Sequence, residues 1–398
     1  MKSKILILAV IVVYCCNSPK KGDSEIHTVS LESLKPVRKI MPLSYFVEDC
    51  SLTLLETSED AYVDPDLTTV TEKYIGVSPV RREIGIGKPY KLFDRSGKFL
   101  CVVGSVEEYP HLSISDDIID DKNELIYLSF WGGRKIQVYH TSGLLAKEIV
   151  APQNLCRPKM FLSGNILTVV HIPMNNPNKS HNGYKADKAI ALQFDVNSGK
   201  LLKELAPPAH LVVQSFSDGA IVTTRNTPDK FDFFLHYYFT TSSYRDTLYY
   251  ADMLNNKILP VFTMTYSLDE IPKNVQGSIK PNFFQLNKDL ILTTFQDKGL
   301  VLTDMRSRKS SWVRAVNDYF GNIPISTEWW WGIFRNGYFV HNMKPEELIQ
   351  VIETRLAEKS CTDTDRQTLE KILLTLEKGA NNVVFIGKLK SEIKENLW

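Results

Sequence analysis

The chain has 398 residues, 47 basic against 46 acidic side chains, a formal charge of +1 and a hydrophobic share of 43%. That length suits two average domains or one large repeat fold. The balanced, well-mixed charge excludes a general electrostatic pull toward nucleic acid or anionic lipid, and no nucleic-acid partner is expected.

The chain opens MKSKILILAVIVVYCC. Lys2 and Lys4 form a positive start, and Ile5 through Val13 are nine uninterrupted apolar residues, too few to span a bilayer as a stable helix. This is the layout of a secretion signal, and its paired cysteines resemble those of a bacterial lipoprotein signal. Cleavage wants a small residue before the cut. Cys16 follows the small Cys15, whereas Cys15 follows the bulky Tyr14. Cys16 is therefore the predicted lipidated residue, residues 1–16 the signal, and the bilayer the first expected partner. Asn17 rather than Asp follows Cys16, which points to the outer membrane of the cell envelope. Residues 17–44 read as a polar tether. Cys50, Cys101, Cys156 and Cys361 lie far apart without a CxxC and demand no disulfide.

From residue 45 the chain is written in hairpins. One kind appears as KLFDRSGKFLCVVG (91–104), RKIQVYHTSGLLAKEI (134–149) and KAIALQFDVNSGKLLKEL (188–205), with weaker copies at 246–262 and 298–316. Each is an alternating strand, a polar turn and a second strand. Asp94, Asp195, Asp252 and Asp304, with His140 in the equivalent place, stand before the turns at separations of 46 to 57 residues. A second kind interleaves with the first: 161–170, 215–224, 285–295 and 333–342, with Gly164, Gly219 and Gly337 expected at turns. Two alternating hairpins per unit make four strands per unit. At this period that predicts an all-β, six-bladed β-propeller over 45–398. NNVVFIGKLK (381–390) supplies the sixth hairpin, and SLTLLET (51–57) is expected to close the ring onto it.

Residues 345–379 break the β rhythm. Leu348, Ile349, Ile352 and Leu356 recur on one helical face, and Leu369, Ile372, Leu373 and Leu376 continue the stripe after a Thr362–Asp365 capping box. They predict a helical hairpin inserted in the last blade and packed on its rim.

Several of these segments carry a family likeness. The signal, Leu55–Glu56–Thr57, the Phe93-Asp94…Gly97-Lys98-Phe99 hairpin and the terminal Leu389–Lys390 resemble the six-bladed β-propeller lipoproteins of Bacteroidetes. The resemblance runs from about residue 30 to the C-terminus. It implies fold and envelope location and carries over no catalytic residue.

The chain has no HExxH, no GxSxG and no phosphate-binding GxxxxGK[ST]. The acidic run DDIIDDKNE (116–124) lacks EF-hand spacing and reads as exposed turn residues before LIYLSF. No metal or cofactor is expected. Candidate ligand contacts are the aromatic Trp329, Trp330 and Trp331 with the nearby charged donor Arg335, and Tyr184, Arg225, Tyr244 and Arg245 in segments read as long loops. The preferred reading is an envelope-anchored, non-enzymatic binding protein using one propeller face for a glycan, peptide or protein partner. The alternative is a lyase or hydrolase with its site at the central funnel.

Overall fold

Three strands precede the first repeat: β1 (His27–Ser30), β2 (Lys39–Pro42) and β3 (Val47–Leu54). Blade 1 holds β4 (Leu67–Val70), β5 (Tyr74–Ser78), β6 (Tyr90–Asp94) and β7 (Phe99–Val103). Blade 2 holds β8 (Ile114–Asp120), β9 (Leu125–Phe130), β10 (Lys135–His140) and β11 (Leu145–Val150). Blade 3 is β12 (Lys159–Ser163), β13 (Ile166–Val170), β14 (Ala191–Asp195) and β15 (Leu201–Leu205). Blade 4 is β16 (Gly219–Thr224), β17 (Lys230–Tyr237), β18 (Ser243–Asp252) and β19 (Lys257–Ser267). Blade 5 is β20 (Pro281–Gln285), β21 (Leu290–Phe295), β22 (Gly299–Asp304) and β23 (Lys309–Asn317), with the short β24 (Ile323–Pro324) paired to β23. Blade 6 orders β25 (Phe334–Arg335), β26 (Tyr338–Met343), β27 (Val383–Leu389) and then β3. The computed structural model describes residues 26–35, 39–64, 67–78, 89–104, 114–174, 189–212, 219–224, 227, 229–237, 243–267, 281–287, 289–295, 299–325, 334–391 and 393. The signal, Cys16 included, lies outside them.

The six sheets are the blades of a six-bladed β-propeller. First strands of neighbouring blades approach one another, β4 to β8, β8 to β12, β12 to β16 and β16 to β20, and so surround the axis. Six apolar clusters fill the six interfaces between blades. Phe93 of blade 1 packs with Val340 and Val384 of blade 6, for example, and Phe234 of blade 4 with Phe283 and Phe295 of blade 5. Middle strands read apolar on both faces because each face meets a neighbour: β21 is buried at every position.

The first kind of hairpin joins third to fourth strands, and the second joins first to second. The carboxylates before the turns hold them. Asp94 accepts from Ser96 N at 2.9 Å and Lys98 N at 3.1 Å, and Asp195 accepts from Ser198 N at 2.7 Å. Gly97 adopts φ +90°, and a Cβ there would lie 2.1 Å from the Leu54 carbonyl of the closing strand. Gly219 departs from the expectation: it opens the innermost strand β16, opposite Tyr237, instead of occupying a turn. The SDG triplet resembles a turn, but the chain turns between β16 and β17.

Closure follows the expected route, except that 381–390, expected as a hairpin, is the single strand β27 with β3 as its partner. Val47–Leu54 pairs antiparallel with β27, from Leu389 opposite Val47 to Val383 opposite Leu54. The segment expected to be a tether up to residue 44 is partly docked. β1 adds parallel to β19 and β2 parallel to β23, as fifth strands on blades 4 and 5. The reason is the apolar residues scattered through that polar stretch: Val29, Met41 and Leu43 are buried, with Met41 and Leu43 fully enclosed.

Between β26 and β27 lies the inserted helical hairpin, α1 (Pro345–Ala357) and α2 (Asp363–Leu373). The Thr362–Asp365 capping box is formed. Leu348, Ile352, Leu369 and Ile372 join the core between blades 5 and 6. Arg355 clips the two helices to the blade 5 loop. It donates to Asp365 Oδ2 at 2.9 Å and to the Gly321 carbonyl at 3.1 Å.

Candidate functional site

The strongest concentration of charge inside the molecule sits at the axis, on the innermost strands. β8 begins it. Its register against β9 slips between Ile114 and Asp116, which is a bulge at Ser115. Past the bulge, Asp116 and Asp117 point to opposite faces of the strand, toward blade 3 and blade 1. They are 4% and 1% exposed. Two adjacent buried carboxylates are tolerated only with matching donors.

The donors come from three other blades. Arg335 of β25 reaches over from blade 6. Its Nη2 donates to Asp116 Oδ1 and to the Asp117 carbonyl, both at 2.8 Å. The same nitrogen lies 2.9 Å from Asp117 Oδ1, off the direction of a hydrogen bond, so that contact is an ion pair alone. Lys159 of blade 3 places Nζ 3.2 Å from Asp116 Oδ1, and Met160 N donates to Asp116 Oδ2 at 2.6 Å. Tyr90 of blade 1 donates its hydroxyl to Asp117 Oδ2 at 2.8 Å. Tyr90 gets there by lying across Gly76. A Cβ at Gly76 would stand 1.7 Å from the Tyr90 oxygen.

Two carboxylates thus face one guanidinium and one ammonium, and the charges cancel. Burial disfavours the charged form of Arg335, but the Asp117 and Asp116 carboxylates outweigh it and raise its pKa further. Burial first, and the Asp117 charge second, push the Tyr90 phenol well above its usual range, so Tyr90 stays a neutral donor. The arrangement locks blades 6, 1, 2 and 3 to one another at the axis. Its chemistry is that of a strut, since each ionised group is paired with another.

The acidic run 116–124 is therefore not a wholly exposed turn. Its first pair is buried on an innermost strand. Asp120 caps the following turn through Lys122 N at 3.1 Å, and Asp121 accepts from Thr71 Oγ1 of blade 1 at 2.6 Å. No group of three metal-ligating side chains forms among the described residues. His171 is enclosed and His341 half-buried, and burial pushes both down to about 4, leaving neutral imidazoles.

Of the residues singled out from sequence, Arg335 belongs to this network. Trp329, Trp330, Trp331, Tyr184 and Arg225 lie outside the described residues. Tyr244 and Arg245 occupy the third strand of blade 4, opposite Tyr266 and Thr265; their side chains are likewise not described. Strand β18 thus replaces the loop expected there, and those two residues sit in a different blade and layer from Arg335. Asp116, Asp117, Tyr90 and Lys159 were missed as a group. The available signal was the pair of acids running directly into Ile118–Ile119, which is a buried strand pattern rather than a turn.

No family model matches the chain, and no curated protein matches its sequence. Solved structures do resemble it. A Bacteroides fragilis protein described as exported is 13% identical, covers 92% of this chain and 100% of its own, and superposes with a TM-score of 0.53. At that identity the likeness shows a shared fold and nothing more. A Bacteroides vulgatus member of the DUF4221 family is 10% identical over 87% of this chain and 97% of its own, with a TM-score of 0.42. The WD40 propeller domain of Doa1 is 13% identical over 65% and 71%, with a TM-score of 0.36. Neither of these two is close enough to carry an argument.

Proposed function

We propose that this chain is a lipid-anchored, non-enzymatic binding protein of the bacterial envelope, held at the outer membrane through Cys16. A propeller face would take a glycan, peptide or envelope-protein partner. The observation that carries the reading is the axial network. The acids and bases that a funnel enzyme would deploy, Asp116, Asp117, Arg335 and Lys159, neutralise one another in the interior. What the fold then offers is a rigid surface. The signal-like first residues support the location.

The test uses the full-length protein solubilised in detergent. Polysaccharide and peptide panels, and cross-linked co-purification from the envelope, should return one reproducible partner. The absence of any partner across both would overturn the binding reading. Shortening of a glycan or peptide by the purified protein would establish the funnel-enzyme alternative. The anchor is tested separately, by metabolic labelling with an alkyne fatty acid. Label should enter the wild type and vanish in Cys16→Ala; label retained in the variant rejects Cys16 as the site.

A further inference from the structure

Scattered exposed leucines are ordinary on a soluble protein. Here they recur on the same hairpin of four successive blades, in the turn or at the start of the fourth strand. In each of blades 1 to 4 the hairpin from third to fourth strand carries an outward leucine: Leu100, Leu144, Leu202 and Leu254, exposed by 42%, 70%, 55% and 61%. Leu145 and Leu259 stand beside them, also exposed. The start of the fourth strand holds Ser310 and Ser311 in blade 5 and Glu48 and Asp49 in blade 6. In an up-and-down sheet every third-to-fourth hairpin lies at the same end of its blade, so the leucines share one end of the propeller. Lys98, Lys200 and Lys257 flank three of the four. The hairpins that present them are stiffened by Asp94, Asp195 and Asp252.

The direction of β1 relates this end to the chain before it. β1 runs parallel to β19 with His27 opposite Phe262. Traced backward, both strands head toward Lys257 and the hairpin of blade 4. β1 therefore enters the fold from the leucine-bearing end. Ten residues, 17–26, lie between Cys16 and His27, a reach of at most about 40 Å when fully extended.

We propose that the hairpin end of blades 1 to 4 lies against a phospholipid bilayer. The leucines enter the boundary between headgroups and acyl chains, and the flanking lysines meet lipid phosphates. This rests on the lipid-anchor reading, which brings that end to the membrane. It leaves the opposite end of the propeller, with the loops joining second to third strands, facing away and open to a partner.

The experiment reconstitutes the full-length protein into phosphatidylethanolamine and phosphatidylglycerol vesicles. The vesicles carry a phospholipid with a photoactivatable acyl chain, and labelled peptides are mapped by mass spectrometry. Label is expected in 99–103, 144–150, 200–205 and 253–260. It should fall at least about fivefold in a variant combining Leu100→Ser, Leu144→Ser, Leu202→Ser and Leu254→Ser, whose melting confirms that it is folded. Label on α1, α2 or blades 5 and 6 instead, no label on the hairpins, or homodimer cross-links through β7, β11 and β15 would each overturn the proposal. The mass of the N-terminal peptide reports acylation independently. Should Cys16 carry no lipid, the anchor reading fails, and hairpin labelling of the unacylated protein by excess vesicles still decides the surface.

Discussion

At the residue scale, Arg335 shows how one side chain can serve a whole interior. It faces two carboxylates that are nearly inaccessible to water. Removing it leaves both charges buried with only Lys159 and neutral donors. Arg335→Ala should therefore cost about 3–5 kcal/mol, the range for breaking a buried ion pair by deleting one partner. Arg335→Lys should recover part of this, because an ammonium keeps the charge but lacks the planar, delocalised guanidinium whose Nη2 meets both acids. Thermal or urea melts decide it, and a wild-type melting curve for Arg335→Ala would show that the network is no strut. His171 and the half-buried His341 make a second prediction. Burial holds His171 and His341 at about 4, against 6.5 for a free imidazole. The unfolded chain takes up these protons first, so the stabilisation is complete above pH 6.5 and is lost progressively as the pH falls toward 4. Each can contribute on the order of 3 kcal/mol to that loss. Urea midpoints at pH 7.5 and 4.5 should diverge less in His341→Gln than in the wild type; equal divergence would remove His341 from the account.

At the element scale, the parts that could be read in the sequence are those made by near neighbours. Third-to-fourth hairpins announce themselves through period-two strands and an aspartate that bonds its own turn, as at Asp94 and Asp195. The helical insertion was equally legible, because its stripe and its Thr362–Asp365 box are local. The docking of β1 and β2 was not. Each is four residues long, and its partner strand lies more than 200 residues away in the chain. The axial cluster was hidden for the same reason, being assembled from residues 90, 116, 117, 159 and 335. The insertion itself gives a graded test of packing. Leu369 is fully buried whereas Leu373, on the same stripe, is only half-buried. Leu369→Ala should cost about 2–5 kcal/mol, as large-to-small changes in cores do, and Leu373→Ala clearly less. Equal losses in the melting midpoint would mean that the helices do not pack on the blade through Leu369.

At the scale of the whole molecule, the ring is held by one junction between distant parts of the chain. β3, near residue 50, is the outer strand of the blade whose other strands come from 334–389. The belt formed by β1, β2 and β3 crosses blades 4, 5 and 6 in turn, so the beginning of the fold covers its end. A propeller closed in this way has no blade that can leave alone: opening blade 6 uncovers apolar faces on blades 5 and 1 together. Truncation after Gly379 removes β27 with Val384, Phe385 and Ile386, strips β3 of its partner and uncovers Phe93, Phe339 and Val340, all of them buried in the intact chain. The expected outcome is a loss of the cooperative transition altogether, with exposed apolar surface and aggregation, rather than a modest drop in midpoint. Circular dichroism melts together with size-exclusion chromatography of full-length and truncated protein read this directly. A truncated chain that stays monomeric and melts in one sharp step near the full-length midpoint would mean that five blades close without the sixth, and that β3 with β27 is an ornament on the ring instead of its clasp.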